Sequence, residues 1–255
     1  MTAEKKPVIE IRQLTYAISD HTILDGIDLQ AYPGEILAVM GLSGTGKTTL
    51  LRLISGLIKP TGGSILVLGE EITTMDEVAL NQMREHVGFV FQYGALFDSL
   101  TVRENVGFRL YEGTNLPEAA ISKVVADKLR LVGMSGTEDL YPAELSGGMQ
   151  KRVGIARALV GDPAVLLYDE PTSGLDPVIA ATIDALISAL RDELSVTEII
   201  VSHDVRSIER MVDRMVLLYN GHVQLAGFPE DFHHSTDPVV RQFMEGSTDG
   251  PIQVI

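Results

Sequence analysis

Residues 36–50 read ILAVMGLSGTGKTTL. Five consecutive apolar residues suit a strand buried on both faces. The eight that follow, GLSGTGKT, fit the spacing G-x-x-x-x-G-K-S/T, with Gly41, Gly46, Lys47 and Thr48 at the fixed positions. Glycines let the backbone curl so that successive N–H groups converge on phosphate oxygens. Lys47 then reaches the β- and γ-phosphates, and the Thr48 hydroxyl can ligate Mg²⁺. A Gly/Ser loop that merely caps a helix has similar composition. Here the loop follows a buried strand and opens a helical pattern, the context that phosphate binding requires. Gly41, Ser43, Gly44, Gly46, Lys47, Thr48 and Thr49 form the expected nucleotide-binding set.

Outward from this loop the chain alternates strands and helices. VIEIRQL (8–14) and HTILDGIDLQ (21–30) alternate apolar and polar residues, as in a sheet with one wet face. SILVL (64–68), VGFV (87–90), AVLLY (164–168), IIVS (199–202) and MVLLY (215–219) are short apolar runs like ILAVM. Helical patterns at 47–55, 177–194 and 204–213 fall between them, which predicts a mostly parallel sheet with helices on both faces. From about 93 to 160 strand runs stop and helical stretches follow one another at 101–110, 117–132 and 147–160. The chain therefore divides into a discontinuous α/β core (1–92 and 161–226), an inserted α-helical subdomain (93–160) and a C-terminal extension (227–255) with short helical candidates in PEDFHH and DPVVRQFME.

The phosphate loop needs an acidic partner, and AVLLYDE supplies one. Asp169 ends a buried strand, where it can hold Mg²⁺ through water; Glu170 can orient or deprotonate an attacking water. An ordinary Asp-Glu turn would be unremarkable alone, but with the loop it completes a hydrolytic site. A second helix start, LSGGMQ (145–150), leads into KRVGIARALV. Its Ser146, Gly147 and Gly148 make another anion-binding end, one without a lysine.

Composition limits the partners. The chain has 255 residues, 45% of them hydrophobic, and a formal net charge of −15, which disfavours broad contact with nucleic acid or anionic lipid. No apolar run approaches the ~20 residues needed to cross a bilayer. MTAEKKPVIE has no apolar centre like that of a signal peptide, so nothing argues for export. The absence of cysteine excludes disulfides and thiolate metal sites and fits a cytoplasmic setting.

LSGGMQ, together with the phosphate loop, resembles the signature of the ATP-binding-cassette ATPases, and the resemblance covers nearly the whole chain. It implies that two copies pack head to tail, with Ser146, Gly147 and Gly148 of one closing on the γ-phosphate held by the other. It further implies that Tyr16 stacks on adenine and that Gln92 in FVFQ senses Mg²⁺ and water. Asp176 in SGLD would communicate across the dimer, and His203 in IIVSHD would contact the γ-phosphate. Alone, Tyr16 reads as a surface strand residue and His203 as a satisfied buried histidine.

GALFDSLTV, DLYPAELSGGMQKRV, LLYDEPTSGLDP and DPVVRQFMEG together look like the ATPase subunit of Mla/MCE-type envelope lipid transporters. That implies an integral-membrane permease, an MCE-domain lipid-binding subunit and a small STAS-like regulatory subunit. The chain would then sit peripherally on the cytoplasmic face of the inner membrane. Residues 91–106 are the stretch expected to touch the permease, with Phe97 and Leu100 as its apolar contacts. A small-solute importer ATPase and a soluble non-transport cassette remain alternatives.

Overall fold

The computed structural model describes residues 6–92 and 94–253. Tyr93, within the expected docking stretch, lies outside them. The chain begins with β1 (Ile9–Ile18) and β2 (His21–Ala31), an antiparallel pair. β3 (Ile36–Met40) leads through the phosphate loop into α1 (Lys47–Ile54). β4 (Gly62–Val67), β5 (Glu70–Glu71), α2 (Glu77–Arg84) and β6 (Val87–Val90) follow. Then come α3 (Val102–Gly113), α4 (Glu118–Leu131) and α5 (Gly147–Ala158). The core resumes with β7 (Val165–Asp169), α6 (Pro177–Leu194), β8 (Thr197–Ser202), α7 (Val205–Ile208), β9 (Arg214–Tyr219) and β10 (His222–Gly227). α8 (Pro229–His233) and α9 (Pro238–Glu245) close the described chain.

Six strands form one sheet in the order β10-β9-β3-β8-β7-β6, parallel except for β10 at the edge. Every residue of β3, β7 and β8 is buried. Side chains alternate across a strand, so one continuous apolar run serves two cores. Ile36, Ala38 and Met40 face a cluster built with α3–α6, whereas Leu37 and Val39 face α1, α2 and the antiparallel strands. The expected helices on both faces are present. A four-stranded antiparallel sheet, β2-β1-β4-β5, adds to the second face.

Two local expectations change, and two elements were not foreseen. SILVL does not join the parallel sheet: β4 pairs antiparallel with β1, Ile65 and Val67 are buried, and Leu68 leaves the strand at φ +54°. The helix expected over 204–213 is a single turn, Val205–Ile208. The chain must turn back into β9, and Asp213 is held at its start, accepting from the Ile36 N–H (2.8 Å) and from Arg191 (2.8 Å). α2 and β10 carry too little apolar periodicity to be legible. α2 buries only Leu80 and Met83, and β10 is half-buried at best.

The helical stretch 102–158 packs against itself and shares its core with the sheet. Val102, Val106, Ile121, Val125, Leu129, Val153 and Ile155 lie in one cluster with Met40, Leu166 and Ile200. The C-terminal extension joins the same cluster through Phe232, Val239, Val240 and Ile252. Gln242 clamps its end, accepting from the Ile252 N–H (2.7 Å) and donating to the Ile252 carbonyl (3.0 Å).

Candidate nucleotide-hydrolysis site

The C-terminal ends of β3, β7 and β8 lie side by side, where open α/β sheets place their ligands. The loop after β3 is shaped by its glycines. A Cβ on Gly46 (φ +94°) would come 2.7 Å from Leu24 Cδ2, and one on Gly41 (φ +153°) would come 2.6 Å from the Leu218 carbonyl oxygen. Only glycine fits either position. Gly46 caps α1 with no side-chain bond, which leaves the helix's first N–H groups to a ligand. Lys47 is buried, and its ammonium donates to the carbonyls of Gly41 (2.8 Å) and Leu42 (2.9 Å). Burial lowers its pKa, against the pull of Glu170 and Asp169.

Thr48 donates its hydroxyl proton to Asp169 at 2.8 Å. Burial raises the Asp169 pKa, with the Thr48 bond opposing and the Glu170 charge adding. A hydroxyl, a carboxylate and the Gln92 amide form a hard-oxygen donor set that fits Mg²⁺. Among the described residues no group of three or more His, Cys, Asp or Glu could hold a metal by itself. Mg²⁺ characteristically takes one or two carboxylates and completes its shell with phosphates and water.

Glu170 stands in the left-handed region at φ +49°, its N–H donating to the Val201 carbonyl at 3.0 Å. That turn carries its carboxylate to His203 Nδ1, 2.9 Å from both oxygens, and Ser202 Oγ approaches at 3.4 Å. Gln92 donates to Ser173 Oγ at 3.4 Å. Ser43, Gly44, Gly46, Lys47, Thr48, Thr49, Gln92, Glu170 and His203 line a single cavity of about 450 Å³.

The remaining expected residues lie elsewhere. Ser146 caps α5, accepting from the Met149 N–H at 3.3 Å. A Cβ on Gly148 would meet Ile179 Cγ2 at 2.6 Å and one on Gly147 would meet Leu175 Cδ2 at 3.4 Å, so the start of α5 packs on the start of α6. Asp176 caps α6 there, accepting from the N–H groups of Val178 and Ile179 at 3.0 Å each. Ser146, Gly147, Gly148 and Asp176 thus form a second group apart from the cavity. Tyr16 lies on β1 opposite Leu24, packed on the core; His21 and Ile23, from the same hairpin, line the cavity instead. No motif marks those two, nor Lys151, whose ammonium reaches the backbone beneath Glu170.

Residues 24–173 match the family model described as ABC transporter. The chain belongs to the ABC transporter family. It is an ATP-hydrolysing ABC transporter subunit. It is 41% identical to the intermembrane phospholipid transport system ATP-binding protein MlaF of Haemophilus influenzae, over 96% of this chain and 93% of that one. It is also 41% identical to the probable ribonucleotide transport ATP-binding protein mkl of Mycobacterium leprae, over 96% of this chain and 70% of that one. A dimeric, post-hydrolysis ATP-binding cassette bound to ADP and Pi superposes with a TM-score of 0.78 at 30% identity, covering 86% of this chain and 98% of that one. Among the described residues of this ABC transporter subunit, no helix is long and apolar enough to cross a membrane.

Proposed function

We propose that two copies of this chain close head to tail on two ATP molecules and drive a membrane permease that moves phospholipid. The division of the functional residues into two groups carries this reading. One chain holds a cavity with the phosphate loop, Glu170 and His203, and a separate helix end with Ser146, Gly147 and Gly148. A second copy turned head to tail supplies the missing half to each cavity. Lysine belongs on the side that keeps nucleotide in every state. Neutral donors belong on the side that must let go after hydrolysis.

Lys47 and the N–H groups of the loop bind the phosphates, while Thr48, Asp169 and Gln92 would hold Mg²⁺, which neutralises charge on the β- and γ-phosphates. Glu170 accepts the proton of the attacking water. His203 is bonded to that carboxylate through Nδ1, leaving Nε2 for the γ-phosphate. Tyr16 would stack on adenine, and Asp176 would relay closure between chains.

The phospholipid cargo is supported by the full-length similarity to MlaF, with an MCE-domain lipid-binding subunit and a STAS-like regulator as further partners. The chain would be held at the cytoplasmic face of the inner membrane by the permease. The equal identity to mkl favours a second reading, a ribonucleotide cargo. Affinity purification from detergent-solubilised membranes, followed by mass spectrometry of partners and bound lipid, separates the two. Phospholipid co-purifying with the permease is the expected result. A permease free of lipid, whose ATPase responds to ribonucleotide, overturns the cargo.

A further inference from the structure

Lys151 opens the KRVGIARALV stretch on α5 and is 6% exposed. Among the described residues it forms no ion pair. Its ammonium instead donates to two backbone carbonyls from distant segments, that of Gln92 and that of Glu170 (3.2 Å). Burying an ammonium is costly even with the Glu170 and Asp169 carboxylates nearby, so its donors must be well used. The two carbonyls it joins lie just past the ends of β6 and β7.

Glu170 is where this contact matters. A non-glycine residue at φ +49° carries a strain of about 1–2 kcal/mol and persists only when its surroundings over-determine it. The Val201 carbonyl fixes the Glu170 N–H, and the Glu170 carbonyl accepts from Lys151 and from the Ser173 N–H, at 3.2 Å each. α5 is also locked to the stretch after Gln92. Arg157 donates to the carbonyls of Gly94 and Ala95 at 2.7 Å each, and a Cβ on Gly154 would stand 3.4 Å from Gly94 Cα. Of these two cations only Lys151 continues to Glu170.

We propose that Lys151 is a positioning residue that holds Glu170 in its strained, cavity-facing conformation and ties it to the Gln92 segment. The Gln92 segment and the hydrolytic residue are then joined by this ammonium, beside the weaker Gln92–Ser173 bond. This rests on the reading of Glu170 as the proton acceptor, and Glu170→Gln is measured alongside to test that reading by itself.

The experiment compares wild type, Lys151→Met, Lys151→Gln, Arg157→Met and Glu170→Gln as full chains, reading kcat, KM for ATP, binding of a fluorescent ATP analogue with Mg²⁺, and Tm. Methionine keeps the stem and removes the donors. Displacing a reacting group by ~1 Å can cost about 10²-fold, so kcat of Lys151→Met should fall about 10–100-fold while KM and analogue binding stay within about 3-fold. Lys151→Gln keeps two N–H donors and should recover part of kcat. Arg157 grips the same segment without touching Glu170, so Arg157→Met should lower Tm while changing kcat by less than about 3-fold. Wild-type kcat in Lys151→Met, parallel loss of analogue binding and kcat, no recovery in Lys151→Gln, or failure of both Lys151 variants to fold would each overturn the proposal. Wild-type turnover by Glu170→Gln overturns the reading beneath it instead.

Discussion

Replacing Glu198 by Gln should remove a pH-dependent weakness from the centre of the sheet. Glu198 lies on β8 and is fully buried; its Oε1 accepts from the Tyr168 hydroxyl at 3.2 Å and its Oε2 has no hydrogen-bond partner among the described residues. Burial pushes its pKa from 4.5 to about 8, with the Tyr168 bond and Arg191 opposing and Asp192 adding. The native chain therefore keeps a proton that the unfolded chain gives up. Between those two values stability falls as pH rises, by about 1.4 kcal/mol per pH unit, and the loss is complete above the native value at roughly 5 kcal/mol. Below the unfolded value it vanishes. Glu198→Gln has no proton to lose and keeps the acceptor for Tyr168. Thermal melts of both chains across pH make the test. Near-equal Tm is expected at about pH 5, and a variant more stable by roughly 10–20 °C at about pH 8.5, since a chain of this size shifts about 2–4 °C per kcal/mol. A Tm difference that stays constant across that range would refute the argument.

Glu170→Gln should bind Mg·ATP with little loss and hydrolyse it about 10²–10⁴-fold more slowly, as single-turnover assays would read; near-normal turnover removes Glu170 from its role. The same variant should shift to a compact pair in size measurements with ATP but not with ADP, and no such pair in the chain or its complex contradicts the two-group account. Phe97 is 45% exposed and lies tilted against the exposed Phe108, ring centroids 4.7 Å apart, whereas Leu100 is half-buried and its carbonyl is bonded to Asn105. Phe97→Asp is therefore the cleaner docking test. Cells making the chain alone, with its permease, or with the permease plus Phe97→Asp should hold it soluble, membrane-bound and soluble again, with Tm and basal ATPase intact. Membrane binding by the chain alone would sink the docking surface.

Local chemistry made much of this protein legible in the sequence. The phosphate loop is one contiguous stretch because a curled backbone presents consecutive N–H groups, and Gly41, Gly46, Lys47 and Thr48 all serve it within eight residues. ILAVM, AVLLY and IIVS announce strands buried on both faces because nearly every residue in them is apolar. Tertiary structure decided what lies beside what. Thr48 meets Asp169 across 121 positions, and His203 meets Glu170 across 33, because strand order puts β3, β8 and β7 side by side. SILVL went to the antiparallel sheet because its pairing with β1 buries Ile65 and Val67, a choice its own residues do not encode. Glu198, Lys151 and Tyr16 illustrate the same limit. A buried acid, a buried cation and a strand tyrosine look ordinary in a line of residues, and their meaning comes from neighbours that only the packed sheet supplies.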